Sequence, residues 1–324
     1  MITTNTYLPE GSLIHTPENR EYISSFQGLE AAMLRGKILE ATAILCDETS
    51  RLHVDLYGIR GFIDREECVY TRSGEDIKDI AIITRVGKPV CFKVLRIECD
   101  ALGPYAILSR REAQKECIFN YLSALICGDI IPAKVTHVEN FGAFVDIGCG
   151  IPSLLSIDCI SVSRISHPRD RLSIGMRIYT VIKSIDAPNG RIFVSLRELL
   201  GTWEENASAF KAGSTVSGII RSTEKYGIFV ELAPNLAGLA ELRDSGAVSY
   251  ISENIIGRNA AVYIKSIIPE RMKVKLVLID CGELSRTPPA LKYFTDVSHV
   301  KHIDRWRYSP SVCTRLVESV FDQD

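Results

Sequence analysis

Hydrophobic and polar residues alternate along many short stretches of this chain. In one of them Ala143, Val145 and Ile147 alternate with Phe144 and Asp146. A period of two places successive side chains on opposite faces of a β-strand, with one face toward a core. Glycine and proline separate the stretches, as turns between short strands do. The pattern predicts a chain that is mainly β.

The stretches form an internal repeat. Residues 128–135 are echoed by residues 213–220, and residues 141–144 (Phe-Gly-Ala-Phe) return at the same offset as residues 226–229 (Tyr-Gly-Ile-Phe). A fainter copy precedes them. Short strands of even spacing are typical of a small closed barrel. We predict three tandem five-stranded barrels, which we call repeats 1, 2 and 3, at residues 34–112, 128–200 and 213–280.

The segments outside the repeats are predicted to be short helices or extensions. Apolar residues recur at helical spacing in two linkers, residues 113–127 and 201–212. They are Phe119, Leu122 and Leu125 in one and Trp203, Ala207 and Phe210 in the other. Thr16 and Pro17 predict the start of a helix in the N-terminal extension, residues 1–33, running through Met33. The C-terminal extension, residues 281–324, has no strand rhythm.

Composition narrows the possible functions. A formal charge of −2 argues against a protein that coats nucleic acid by bulk electrostatics. The ten cysteines are scattered without CxxC spacing, so we expect reduced thiols, no metal and no cofactor. The chain has neither an apolar membrane span nor a basic leader, which predicts a soluble cytoplasmic protein without membrane contact.

Exposed aromatic residues provide the candidate chemistry. Alternation places Phe144 in repeat 2 and Phe229 in repeat 3 outward, beside Asp146 and Glu231, which we take to mark the solvent face. Rings bordered by cations can stack on bases and bind phosphates of a single strand. The alternative is that these rings cover a barrel mouth or pack on the linker helices.

Repeat 1 departs from this pattern. Its outward residues are His53, Asp55 and Tyr57, and Ser50 stands where Phe141 stands in repeat 2. We therefore expect the aromatic platform to be missing there.

Repeat 2 closely resembles the RNA-binding domain named after ribosomal protein S1. The resemblance rests on the sequence strings at residues 140–146, 153–156, 166–168 and 190–196. It extends to repeat 3 and, more faintly, to repeat 1 through residues 108–113. The whole chain resembles the shorter S1 homologues of clostridial-type bacteria. The resemblance implies that each barrel has the OB fold.

The resemblance also implies an RNA-binding set. In repeat 2 it falls on Phe141, Phe144, Asp186 and Arg191, with Ser156 where the family has a histidine. In repeat 3 the candidates are Tyr226, Phe229 and Lys273, while Ala240 and Pro269 replace the histidine and the aspartate. We expect repeat 2 to bind RNA better than repeat 3.

The function expected is binding of single-stranded mRNA in translation, by a monomer associated with the ribosome. By analogy with the family, repeat 1 is expected to dock on proteins of the small ribosomal subunit. A protein-interaction scaffold and an RNA-regulatory factor not permanently on the ribosome stay open as alternative functions.

The extensions are short and lack phosphate loops or a nucleophile with a base, so no enzyme activity is expected. Residues 305–308 could contact RNA or pack on repeat 3.

Overall fold

The chain folds into three five-stranded barrels. The structure, a computed structural model, describes residues 7–71, 76–241, 255–285 and 290–321. All three barrels close with the same strand order, first-second-third-fifth-fourth, where the third and fifth strands are parallel. The predicted fold class, mainly β with tandem OB-fold barrels and short linker helices, is confirmed.

The three barrels have the following strands. Barrel 1 comprises β1 (Leu39–Cys46), β2 (Leu52–Leu56), β3 (Ile59–Ile63), β4 (Pro89–Asp100) and β5 (Gly103–Ser109). Barrel 2 comprises β6 (Ile130–Glu139), β7 (Gly142–Asp146), β8 (Pro152–Ser156), β9 (Arg177–Asp186) and β10 (Arg191–Ser195). Barrel 3 comprises β11 (Thr215–Glu224), β12 (Gly227–Ala233), β13 (Leu236–Glu241), β14 (Arg258–Ile268) and β15 (Lys273–Leu284). The last strand thus runs beyond the predicted end of repeat 3.

The barrel cores consist of the residues that alternation placed inside. Ala143, Val145 and Ile147 are fully buried, as are Ile228 and Val230 in barrel 3. Burial of apolar surface is the main force that stabilises such small closed sheets.

Helices flank the barrels. They are α1 (Pro17–Ile23), α2 (Phe26–Leu34), α3 (Asp79–Ile83), α4 (Arg110–Asn120) and α5 (Trp203–Ala207). The Thr16 side chain caps α1 by accepting from the amide of Asn19, as predicted, but the helix stops at Ile23 and a second one follows.

The linker helices bury only part of the predicted apolar stripe. Trp203 and Ala207 of α5 are buried against the core of barrel 3. Phe119 of α4 is 58% exposed, contrary to the prediction, because α4 buries Ala113 and Cys117 on its other side.

The chain divides into two compact units. The first contains residues 1–125, 132–134 and 146–152, and the second contains residues 126–131, 135–145 and 153–324. The loop between β7 and β8 therefore belongs to the first unit.

The first unit buries carboxylates around its N-terminal segment. Glu10 accepts from Arg110 Nε at 2.6 Å. Burial alone would raise the pKa of Glu10, but the Arg110 charge outweighs it, and the pKa is lowered. Asp146 accepts from the amide of Glu10 at 2.7 Å, and burial together with the Glu10 charge raises the pKa of Asp146 to about 7.

These contacts overturn one sequence prediction. Asp146 was expected to face solvent, but it is buried and also binds the amides of Gly148 and Gly150. Its counterpart Glu231 in the second unit is buried as well. Alternation correctly put both on the outer side of the barrel wall, and other chain segments cover that side.

Glu40 gives the first unit a pH-dependent stability. One oxygen, Oε2, accepts the amides of Gly11, Leu13 and Ile14 at 2.8 to 3.0 Å, and burial raises the pKa of Glu40 to about 7. A raised carboxyl pKa means that the folded state holds the proton more tightly than the unfolded state. The protonated Glu40 carboxyl therefore stabilises the folded state. This contribution is complete below the unfolded pKa near 4.5 and is lost as the pH rises through about 7.

We expect Glu40→Gln to make the decline of stability with rising pH shallower, since glutamine keeps an acceptor oxygen and does not titrate. Asp146, whose pKa is also raised to about 7, still contributes to the decline in the variant. The free energy of unfolding of the wild type should fall between pH 5 and pH 7 by at most about 1.4 kcal/mol per pH unit from this group. Urea unfolding of both proteins at pH 5, 6, 7 and 8 measures the difference. Parallel pH profiles would show that Glu40 is not the responsible group.

In the second unit Glu231 on β12 is clamped by two arginines. Arg221 Nε lies 2.7 Å from Glu231 Oε2, and Arg171, whose side chain is 0% exposed, binds the same oxygen. Arg221 also pairs with Asp170 at 3.2 Å. Residues 170 and 171 lie in the long loop between β8 and β9, so the cluster fixes this loop of barrel 2 to barrel 3.

Candidate nucleic-acid interface

Barrels 2 and 3 each present a pair of perpendicular aromatic rings. The centroids of Phe141 and Phe144 are 6.1 Å apart with an interplanar angle of 86°. Those of Tyr226 and Phe229 are 6.2 Å apart at 87°. The first ring of each pair is largely exposed, at 55% for Phe141 and 59% for Tyr226, and the second is half-buried. The two pairs have the same geometry although only one of the two aligned positions, that of Phe144 and Phe229, has the same residue.

A glycine after the first ring fixes this geometry. A Cβ on Gly142 would lie 2.4 Å from the carbonyl oxygen of Leu155, and one on Gly227 would lie 2.6 Å from that of Ala240. Neither glycine has a positive φ, so the requirement is the close approach of two strands and not an unusual backbone conformation.

One cation opens the fifth strand on each ring-bearing barrel. Arg191 follows Gly190, whose φ is 58°, and Lys273 follows Met272, whose φ is 49°. Both cations are exposed, and neither takes part in an ion pair with another residue in the described part of the chain. The two barrels therefore present an unneutralised charge at the same position of the fold.

Asp186 lies opposite Arg191 in the β9–β10 pairing. Its carboxylate accepts from the amide of Asn189 at 3.3 Å and from the side-chain amide at 2.8 Å. The structure thus gives Asp186 a contact to the turn that leads into Arg191. Whether it also contacts RNA stays a prediction, as it does for every candidate residue.

Ser156, where the family histidine was expected, lies next to Gly142, the glycine that follows the first ring. A Cβ on Gly142 would be 2.9 Å from the Cα of Ser156, and the next residue, Ile157, donates its amide to the carbonyl of Phe141 at 2.9 Å. A hydroxymethyl group at this place leaves one stacking partner fewer than a histidine would.

Barrel 1 lacks the ring pair, as predicted, but its outer face carries two rings besides the predicted outward residue His53. His53 on β2, Phe62 on β3 and Tyr105 on β5 form a continuous ladder, with centroid distances of 4.9 Å and 5.5 Å. His53 stands at the position of Phe144, whereas Phe62 and Tyr105 lie on other strands, where comparison with the Phe-Gly motif does not look for rings.

Arginines already cover the ladder. The guanidinium of Arg51 lies 4.9 Å from the Phe62 centroid, and that of Arg60 lies 5.3 Å from the Tyr105 centroid. Arg51 pairs with Asp64 and Arg60 with Asp100, at 2.5 and 2.6 Å. One arginine therefore lies over each of the Phe62 and Tyr105 rings, and each of these arginines is paired with a carboxylate.

The C-terminal extension packs against barrel 3 within the second unit. Trp306 and Tyr308 are buried with the core of barrel 3, and the Tyr308 hydroxyl donates to the Asn235 carbonyl at 2.6 Å. The alternative of an exposed aromatic contact at residues 305–308 is therefore wrong for these two rings. The short strands β16 (Arg305–Arg307) and β17 (Glu318–Val320) pair here.

Three further observations concern disulfides, metal sites and membrane spans. All ten cysteines are free thiols. Within the described ranges, no group of three or more potential metal ligands is close enough to hold an ion, and no helix is long and apolar enough to cross a membrane.

Residues 125–197, which contain the ring pair of barrel 2, match the family described as the S1 RNA binding domain. The small ribosomal subunit protein bS1 of Leuconostoc lactis is 31% identical over 240 residues, which cover 72% of this chain and 51% of that protein. Residues 125–197 are therefore assigned to the S1 RNA binding domain family, and the chain is similar to bS1 proteins.

Other relatives agree with this assignment. The bS1 homolog of Bacillus subtilis is 30% identical over 237 residues, covering 72% of this chain and 56% of that protein. The chain thus spans little more than half the length of these relatives. A solved multidomain protein with nucleic acid binding domains from Streptococcus pneumoniae is 15% identical, with a TM-score of 0.24 and coverage of 75% of this chain and 73% of that chain. A score this low supports no argument.

Proposed function

We propose that this chain binds single-stranded RNA through barrels 2 and 3 and acts with the small ribosomal subunit in translation, with mRNA as the ligand. The observation that carries the proposal is the repeated ring pair on a barrel that also has an unpaired cation at the start of its fifth strand. Rings stack on any base, and each stacked base contributes about 1 to 3 kcal/mol, while the cation binds phosphate. Two such barrels in one chain raise the avidity for a long strand.

Barrel 2 is the stronger site in this proposal. It keeps Asp186 and Arg191, whereas barrel 3 has Pro269 and Lys273 at those places. A guanidinium can form a forked pair of hydrogen bonds with a phosphate, which an ammonium cannot. We therefore assign barrel 2 the main contact with RNA and barrel 3 an auxiliary one.

Barrel 1 has a different role in the proposal. Arginines lie over two of its three ladder rings, Phe62 and Tyr105, and both arginines are paired with carboxylates of the same barrel. This favours a contact with proteins of the small subunit over a contact with RNA. The relatives are named as proteins of that subunit and not as enzymes, which supports both a ribosomal partner and a non-catalytic function.

A titration separates this proposal from a pure protein scaffold. Fluorescence anisotropy of an unstructured RNA oligomer, with a duplex of equal length as control, should show binding at low salt and a preference for the single strand. If no RNA binds while isolated small ribosomal subunits do, the scaffold function replaces the one proposed.

Arg191→Ala should make RNA binding less dependent on salt. One phosphate contact fewer lowers the slope of log K against log salt by about 0.7 for a single strand. The matched control is Arg315→Ala, which removes an exposed arginine of the C-terminal extension. If Arg191→Ala and the control give the same slope as the wild type, Arg191 does not contact phosphate.

A further inference from the structure

At one position of the fifth strand, the outer face carries an aromatic ring in barrel 2 and a cation in barrel 3. Leu155 and Val194 are paired across β8 and β10 and are both buried in the core of barrel 2. The preceding pair, Leu154 and Phe193, must then lie on the outer side, and both are half-buried there. Phe193 is thus on the face that carries Phe144.

The same register in barrel 3 holds a lysine. Ala240 and Leu276 form the buried pair of β13 and β15, and Leu239 and Lys275 form the outer pair. Leu239 is in turn paired with Phe229 of β12. A single row across three strands therefore runs from the platform ring Phe229 through a leucine to Lys275.

Lys275 can give up its present partner. Its ammonium lies 3.6 Å from the carboxylate of Glu241, and both side chains are about four-tenths exposed. Exposed pairs of this length are weak and screened by salt. An incoming phosphate can compete for the ammonium, whereas Phe193 has no charge to offer.

We infer that this position sets how each barrel holds RNA: Phe193 adds a further stacking ring to barrel 2, and Lys275 adds a second phosphate contact to barrel 3. The inference rests on the proposed function. Barrel 2 then binds a strand with three rings and one cation, and barrel 3 binds it with two rings and two cations. Binding by barrel 3 consequently depends more steeply on salt than binding by barrel 2.

The test uses the full chain with one platform disabled at a time. In a Tyr226→Ala, Phe229→Ala background, where barrel 2 binds, Phe193→Leu should weaken binding of an unstructured RNA about fivefold or more with no change of salt slope. Phe193→Tyr, which retains a ring, should restore the affinity. Phe193→Lys should steepen the salt slope by about 0.7.

In a Phe141→Ala, Phe144→Ala background, where barrel 3 binds, Lys275→Met should reduce the salt slope by about 0.7. Melting temperatures identify any variant that fails to fold. If Phe193→Leu does not fold, the affinity of Phe193→Tyr and the salt slope of Phe193→Lys test the role of position 193. Undiminished affinity in Phe193→Leu, or an unchanged slope in Lys275→Met, would overturn the inference while RNA binding itself stands. Failure of the unsubstituted chain to bind RNA would instead overturn the proposed function and this inference with it.

Discussion

Replacing Phe141 and Phe144 together by alanine is expected to weaken binding of single-stranded RNA at least about tenfold. The two rings form the exposed pair of the better-equipped barrel, and loss of even one stacked base reduces the affinity by this order. The melting temperature should change little, because Phe141 is largely exposed and neither ring belongs to the buried core. Anisotropy titrations and thermal unfolding of the same protein samples measure both quantities.

A matched control is available for the ring variant. Phe119→Ala removes a phenylalanine on α4 with nearly the same exposure, 58% against 55% for Phe141, outside any barrel face. It should leave the affinity unchanged. A large drop in melting temperature with unaltered affinity in the double variant would show that Phe141 and Phe144 are structural residues.

Glu231→Gln is expected to destabilise the second unit strongly. The substitution removes the one charge that Arg171 and Arg221 share, and leaves buried Arg171 without a paired carboxylate while Arg221 keeps only Asp170. Breaking a buried ion pair in this way typically costs about 3 to 5 kcal/mol. The free energy of unfolding from urea titration should fall by that order.

Glu270→Gln serves as the control for this effect. Glu270 belongs to the same barrel and is exposed in the turn before β15, so its charge is solvated. Its loss should change the free energy of unfolding by less than about 1 kcal/mol. If the two variants are equally stable, the buried cluster does not hold the loop between β8 and β9 in place.

The sequence predicted the barrels because two independent signals coincided. Alternation identified strands such as β7, and the return of the same glycines and aromatics identified the repeat. These signals predict closed barrels, and the OB fold of each barrel was implied by the resemblance to the S1 domain. The outward position of Phe144 followed from the same alternation, since its neighbours Ala143 and Val145 are buried.

Alternation could not predict what covers an outward side chain. Asp146 faces outward and is nevertheless buried, because it accepts the amide of Glu10, which is remote in the sequence. Glu231 is buried by Arg171 for the same reason. In each case a segment outside the strand pairing supplies the partner, and the alternation of hydrophobic and polar residues does not predict that segment.

Motif comparison failed on barrel 1 for a related reason. The motif has rings at the positions of Phe141 and Phe144, whereas two of the three ladder rings of barrel 1, Phe62 and Tyr105, lie on other strands. Only the register of β2, β3 and β5 brings them together with His53.

In the proposed function RNA lies on the ring faces of barrels 2 and 3. Ultraviolet crosslinking of the full chain to an unstructured RNA, followed by mass spectrometry of the crosslinked peptides, locates the bound strand. We expect crosslinks at Phe141 or Phe144 first, weaker ones at Tyr226 or Phe229, and none above background at the ladder of barrel 1. Crosslinks confined to the ladder of barrel 1 would contradict the account.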